Sequence, residues 1–330
     1  MIKGYLRRTG PAVVAAILCA CTPTERGAGQ NTALQAVGVP EPLTVAFIGD
    51  QGLTAEARAV LRMIKAEEAD LVLLLGDLDY VDDPIAWDAM ITEELGVDFP
   101  LFVAVGNHDE KRWYGPGGYQ DRQEARLARI PDVNCRGELG VRSACTFRGL
   151  FFILSGVGTI PEVPDHPEHV DYLRDQLAQT DAIWRICAWH QNQTLMQVGG
   201  KENDVGWQPY EVCREAGAIV ATAHEHSYSR THLMDDFDTQ SVASTSDTLV
   251  IDEGESFVFV SGLGGHSIRD QELDGPWWAS IYTSDQGANF GALFCEFFAD
   301  GEPERASCYF KDIDGNVPDR FELISAVKVF

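Results

Sequence analysis

Five separate apolar runs in this chain each end on a cluster of Asp, Asn or His, and this constrains the fold more than any other feature. Leu43–Ile48 runs into Gly49-Asp50-Gln51-Gly52, and residues 71–75 into Gly76-Asp77-Leu78-Asp79-Tyr80. Residues 101–105 run into Gly106-Asn107-His108-Asp109, residues 183–189 end at Trp189-His190, and residues 218–222 run into Ala223-His224-Glu225-His226. The run LVLLL at 71–75 shows no polar alternation and reads as a parallel strand buried on both faces. Helical periodicity at 54–68, 84–95, 120–129 and 169–179 separates the runs. Pro84 falls at a helix start, where its missing N–H is tolerated. Strands alternating with helices predict an α/β sheet. In such sheets ligands bind beyond the carboxyl ends of the strands. Five ends made of metal-binding residue types therefore predict a single metal site. Further strands are expected at 150–154, 256–261, 292–298 and 307–310, and a mobile polar loop at 238–248.

Each residue also has a plainer reading. Asp50 and Asp77 alone would be helix caps, Tyr80 a packed strand-end aromatic and His190 a structural imidazole. The full set favours metal ligation for Asp50, Asp77 and His190. His224 and His226 project to one side if the chain there is extended. Asp79, Asp82 and Asp83 read as solvated or loop-capping carboxylates, and His166, His169 and His232 as surface residues. Trp113 and Tyr114 either line the rim of the pocket or pack.

The ordered set resembles the calcineurin-like metallophosphoesterase superfamily, and within it the purple acid phosphatase branch. The resemblance spans residues 43–230, with a weaker continuation to Gly264-Gly265-His266. It implies a four-layer αββα sandwich with two mixed β-sheets, formed by one catalytic domain over residues 42–330. No separate N-terminal β-sandwich is expected, because few residues precede Leu43. It further implies two metal ions. Asp50, Tyr80 and His226 would bind the first, Asn107, His190 and His224 the second, and Asp77 would bridge them. Gly52 stands where the wider superfamily often has a His ligand, and Tyr80 would replace that ligand as a phenolate. A phenolate favours Fe(III) at the first site, with Fe, Zn or Mn at the second. Ala223 departs from the usual Gly-His-x-His. The implied reaction is attack on phosphorus by a metal-bound hydroxide, with His108 as general acid and Asp109 orienting or tuning it. The implied substrate is a small phosphorylated molecule, a phosphomonoester first. The same motifs serve phosphodiesterases and nucleotidases of this fold. A metal-holding binding lipoprotein with little activity is the alternative outside catalysis. Retention of His108 beside all seven ligand candidates favours an enzyme.

Residues 1–20 open with Lys3, Arg7 and Arg8 and continue into small apolar residues, which is a signal-peptide pattern. Leu18-Cys19-Ala20-Cys21 resembles a bacterial lipobox, with Cys21 as the lipidated residue. Residues 21–41 are rich in Thr, Gly, Ala, Gln and Pro and read as a flexible tether. The expected product is an exported lipoprotein, anchored in a membrane and facing the periplasm or cell exterior. The net charge of -26 argues against nucleic acid as a partner. Six cysteines remain: Cys135, Cys145, Cys187, Cys213, Cys295 and Cys308. An even number in an exported chain predicts disulfides. Cys135 with Cys145, and Cys295 with Cys308, are near enough to staple hairpins, although fifteen pairings are open.

Overall fold

The strand–helix alternation takes shape in a computed structural model that describes residues 41–328. The expected signal segment, Cys21 and the expected tether up to residue 40 lie outside the described residues. The first sequence stretch contains β1 (Leu43–Ile48), α1 (Ala55–Ala66), β2 (Leu71–Leu74), α2 (Pro84–Glu94) and β3 (Leu101–Val103). Then come α3 (Glu110–Trp113), α4 (Tyr119–Leu127), β4 (Asn134–Glu138), β5 (Arg142–Phe147), β6 (Leu150–Ser155), α5 (Pro167–Leu177), β7 (Arg185–Ala188), α6 (Trp207–Glu215) and β8 (Ile219–Thr222). The last third is β-rich: β9 (Tyr228–Thr231), β10 (Leu233–Asp236), β11 (Ser241–Ser244), β12 (Thr248–Ile251), β13 (Val258–Ser261), β14 (Trp278–Tyr282), β15 (Gly291–Phe297), β16 (Arg305–Asp312) and β17 (Asp319–Ser325).

Two large mixed sheets result. One runs β12-β17-β16-β15-β1-β2-β3, and the other β14-β9-β13-β8-β7-β6-β5-β4. Parallel pairs join β1 to β2 and β2 to β3 in the first, and β6 to β7, β7 to β8 and β8 to β13 in the second. Alternation along β1 explains the layering. Val45 and Phe47 face the opposite sheet, while Ala46 and Ile48 face helices. Phe47 meets Phe259 at 5.1 Å and Phe102 meets Phe152 at 4.8 Å across the two sheets. Helix α1 buries Ala57, Val60, Leu61 and Ile64 along one stripe, and Thr54 Oγ1 caps it by accepting from the Ala57 N–H at 3.0 Å. Each large aliphatic side chain buried this way stabilises the fold by about 1.5–3 kcal/mol. Helices α5 and α6 cover the outer face of the second sheet through Val170, Leu173, Tyr210 and Val212. The fold is the expected αββα sandwich.

Three disulfides are present. Cys135–Cys145 and Cys295–Cys308 join residues directly opposite each other on β4/β5 and β15/β16, and Cys187–Cys213 ties β7 to α6. Two expectations fail. Residues 238–248 are not simply a loop: β11 pairs antiparallel with β10, and β12 starts at Thr248. The ladder is backbone-made, so polar side chains that alternate outward do not prevent it. His169 is not on the surface. It is buried, with Nδ1 3.0 Å from Ser155 Oγ and Nε2 2.7 Å from the Ile160 carbonyl. Those two partners satisfy a polar ring that burial would otherwise penalise.

Candidate metal centre

The ends of β1, β2 and β3 from one sheet and of β7 and β8 from the other meet in one place. The loops after β1 and β2 continue their parallel pairing beyond the strands. Asp50, Gln51 and Gly52 donate their N–H groups to the carbonyls of Gly76, Asp77 and Leu78 at 3.1, 2.9 and 3.1 Å. Asp50, Asp77, Tyr80 and His224 all sit at positive φ, between 56° and 65°. Such conformations cost energy for non-glycine residues and persist where the surroundings over-determine them. Glycines before the aspartates make the close approach feasible. A Cβ on Gly76 would lie 2.7 Å from His190 Nδ1, and one on Gly106 2.3 Å from Asp77 Oδ1. Ala223, the departure from the family motif, is accommodated because Gly49 faces it. A Cβ on Gly49 would lie 2.3 Å from the Ala223 methyl.

Two groups of donor atoms form. In one, the Tyr80 hydroxyl donates to Asp50 Oδ1 at 2.9 Å and lies 3.1 Å from His226 Nε2, which is itself 3.2 Å from Asp50 Oδ1. Burial, then Asp50 and Asp77, hold the Tyr80 proton on well above the usual phenol range. Asp50 is fully buried, and its Oδ2 has no hydrogen-bond partner. Burial alone would raise Asp50, but His226 beside it takes it below the usual carboxylate range.

In the other group, His190 Nε2 lies 3.2 Å from Asp77 Oδ1, 3.1 Å from Asn107 Oδ1 and 3.1 Å from His224 Nδ1. The outer nitrogens set the tautomers. His190 Nδ1 donates to the Leu75 carbonyl at 2.7 Å, and His224 Nε2 faces Asp204 Oδ2 at 3.3 Å. With those two protons placed outward, both inner nitrogens present lone pairs. They point at each other and at two oxygen lone-pair donors. Four lone-pair donors converging without a proton between them lack a positive charge, and the buried Asp77, His190 and His224 atoms lie within 4.8 Å of one another, as metal ligands do. When no metal is bound, a proton answers the same demand. Burial alone would lower His190, yet Asp77 holds it up to about 9. Burial takes His224 down to about 4 despite Asp204. The donor set therefore fits metal ions on chemical grounds: carboxylate, imidazole, amide and phenol oxygens and nitrogens.

All seven expected ligands thus gather at one site, with His108 beside them. His108 is exposed, its ring centroid 4.6 Å from that of Tyr80, and its N–H donates to Asp77 Oδ1 at 2.9 Å. His266 stacks on the other side of Tyr80 at 3.5 Å. Asp109 departs from expectation. Its carboxylate accepts from the N–H groups of Gly106 at 2.8 Å, Asp77 at 2.9 Å and Leu78 at 2.8 Å, so it holds the ligand loops together rather than turning to the His108 ring. Its burial, in a turn whose own N–H groups surround it, leaves it no reach to that ring. His224 and His226 do not share a side through an extended chain. The left-handed backbone at His224 sends them to different groups. Asp79 caps the next loop through the N–H groups of Val81, Asp82 and Asp83 at 2.8–2.9 Å, and Asp83 caps α2, as their loop-capping reading expects. Sequence reasoning missed Asp204 and Ser267, whose hydroxyl lies 2.5 Å from His226 Nδ1. Neither carries a local signal, since each reaches its histidine only through the folded loops.

A four-layer sandwich with such a cluster beyond its strand ends defines the metallophosphoesterase class. Residues 43–228 match the family described as calcineurin-like phosphoesterase, and the chain belongs to that family. A stretch of 72 residues is 38% identical to Purple acid phosphatase 22 of Arabidopsis thaliana, covering 21% of this chain and 16% of that one. Among solved structures, purple acid phosphatase PPD1 from yellow lupin (Lupinus luteus) seeds superposes with a TM-score of 0.63 at 16% identity, covering 86% of this chain and 54% of the other. GAP50, the anchor in the inner membrane complex of Plasmodium, gives 0.56 at 13% identity, covering 87% and 91%. The chain spans about half the length of the lupin protein. Members of this fold family work with divalent metal ions.

Proposed function

We propose that the chain is a phosphoester hydrolase working with two metal ions in the manner of a purple acid phosphatase, with phosphomonoesters as its first substrates. Asp50, Tyr80 and His226 would hold the first ion, Asn107, His190 and His224 the second, and Asp77 would serve both. Tyr80 favours Fe(III) at the first position, and Fe, Zn or Mn suits the second. Bound metals supply Lewis acidity and an activated water. The chain does the rest. His190 and His224 keep their protons outward, on the Leu75 carbonyl and Asp204, so their inner nitrogens stay free. Asp109 fixes the Gly76–Leu78 turn against Gly106. His108, exposed and anchored through its backbone to Asp77, gives an imidazole N–H proton to the departing ester oxygen.

The observation that carries this reading is the convergence of the His190 and His224 inner nitrogens with the Asp77 and Asn107 side-chain oxygens beside the exposed His108. Metal analysis by mass spectrometry, with turnover of p-nitrophenyl phosphate and its bis-ester under Fe, Mn and Zn, tests it. Two bound metals per chain and faster monoester cleavage are expected; a fully metal-loaded protein that cleaves neither ester would defeat it. The exported, Cys21-lipidated form belongs to the same reading. Its support is the basic start, the apolar stretch and the lipobox. Cys21→Ser should move the protein from the membrane to the soluble fraction.

A further inference from the structure

The connection from β7 to α6 returns over the His224-Glu225-His226 turn, and its glycines thread between two carboxylates. A Cβ on Gly199 would lie 2.2 Å from Glu225 Cδ, and one on Gly200 2.5 Å from Glu272 Oε2. Only residues without side chains let the backbone pass there. The loop is pinned around that passage. The N–H groups of Glu272 and Leu273 both donate to the Val198 carbonyl at 2.8 Å. Gln197 Oε1 accepts from the Gly199 N–H at 2.5 Å, and Gln197 Nε2 donates to the Lys201 carbonyl at 3.4 Å. Lys201 is the first side chain after the glycine pair, three residues before the Asp204 that orients His224.

The facing segment supplies a second cation. The Arg269 N–H donates to the His226 carbonyl at 3.0 Å, and its guanidinium reaches Glu225 Oε2 at 3.5 Å. Arg269 thus pairs with Glu225, which is fully buried with Oε1 unpartnered, and Lys201 follows the Gly199-Gly200 passage beside the same carboxylate. Among the described residues Glu225 is the one carboxylate at ion-pair distance of either cation, and it pairs with Arg269. Lys201 is partly buried, and among the described residues its ammonium has no carboxylate at ion-pair distance. Its segment passes over the His224-Glu225-His226 turn, with Gly199 packed against Glu225 and Asp204 facing His224 Nε2 at 3.3 Å. In a chain of net charge -26 an unpaired, partly desolvated cation beside the site is against the trend. Desolvating a charge without a partner is unfavourable, and an acidic group arriving from solution would supply that partner.

We infer that Lys201 and Arg269 form a second anion contact beside the metal centre, and that the favoured substrates are phosphomonoesters whose organic part carries a further acidic group. The inference rests on the phosphoester reading above. It also answers a difficulty in that reading, since the protein's overall field repels polyanions and a local pair of cations overcomes it at short range.

The test compares metal-loaded protein on phenyl phosphate and on 3-carboxyphenyl phosphate, in which the added carboxylate is held away from the reacting oxygen. A kcat/KM preference of about tenfold for the carboxylated ester, mostly in KM, is expected at low salt. Lys201→Gln should bring the ratio near one with both metals still bound by mass spectrometry, and Lys201→Arg, which keeps the charge, should retain it. Equal efficiency of the wild-type protein on both esters, or a preference surviving Lys201→Gln, overturns the subsite alone. A metal-loaded wild type that cleaves neither ester overturns the phosphoester reading and the subsite with it.

Discussion

In the half of the centre built from Asp50, Tyr80 and His226 a phenolic proton sits among the donor atoms, whereas in the half built from Asp77, Asn107, His190 and His224 the outward tautomers leave lone pairs facing one another. In the first half the Tyr80 hydroxyl bonds Asp50 Oδ1 and borders His226, while Asp50 Oδ2 stays without a partner. The phenol's proton must leave before its oxygen can bind a metal, and the neighbours hold that proton tightly. Only a strongly charged ion repays such a loss. The second half has its outer protons fixed on a backbone carbonyl and on Asp204. The further proton that Asp77 holds on His190 is bound less tightly than the phenol's, so an arriving ion displaces it more easily and the half tolerates a wider choice of metal. Under the proposed function, this contrast would suit two ions of different charge placed on either side of Asp77.

The largest test removes what distinguishes the first half. Tyr80→Phe deletes the phenol but leaves Asp50 and His226 in place. It should abolish any visible absorption of the oxidised iron form and lower kcat by on the order of 10²–10³-fold. The second metal should remain in the mass spectrum. Absorption that survives would break the contrast between the halves. Asp204→Asn probes the other side more gently. The amide can still touch His224 Nε2 but no longer holds its proton by charge. Metal affinity of the second half should fall by about 10- to 100-fold, while the colour of the first half stays. A variant that loses both metals together would show that the halves do not act separately.

The strand ends were legible because buried apolar runs have a fixed length and end abruptly in polar residues. That singled out the clusters holding Asp50, Asp77, Asn107, His190 and His224, and the resemblance to the purple acid phosphatase branch assigned the ligand roles and added Tyr80 and His226. What lay between strands could not. Asp204 and Lys201 sit on a long connection with no periodicity, and their closeness to His224 exists only after Gly199 and Gly200 pass Glu225 and Glu272. Asp109 looked like a partner for its neighbour His108, but the positions of the N–H groups that donate to it depend on two loops joined across the sheet. The pairing of β10 with β11 was hidden because a ladder of backbone bonds leaves little mark in a polar sequence.

The smallest expected effect is the pH dependence of metal uptake by the second half, and its sign follows from His190. Its value without metal is raised to about 9, with burial opposing and Asp77 supporting the charged ring. A metal entering between Asp77 and His190 must expel that proton, so below about pH 9 the apparent affinity should weaken by about tenfold per pH unit. Stability of the chelated protein runs the opposite way. The raised value means that the Asp77–His190 pair stabilises the fold fully below the unfolded histidine value of 6.5, and that this contribution is lost as pH rises through about 9. Chelated protein should therefore lose stability between those values while metal-loaded protein does not. Parallel thermal unfolding with and without a chelator, together with metal titrations across the same range, measures both slopes. A metal affinity that stays flat from pH 6 to 9 would mean that no proton leaves when the ion arrives, and the lone-pair geometry of His190 and His224 would then need another cation to explain it.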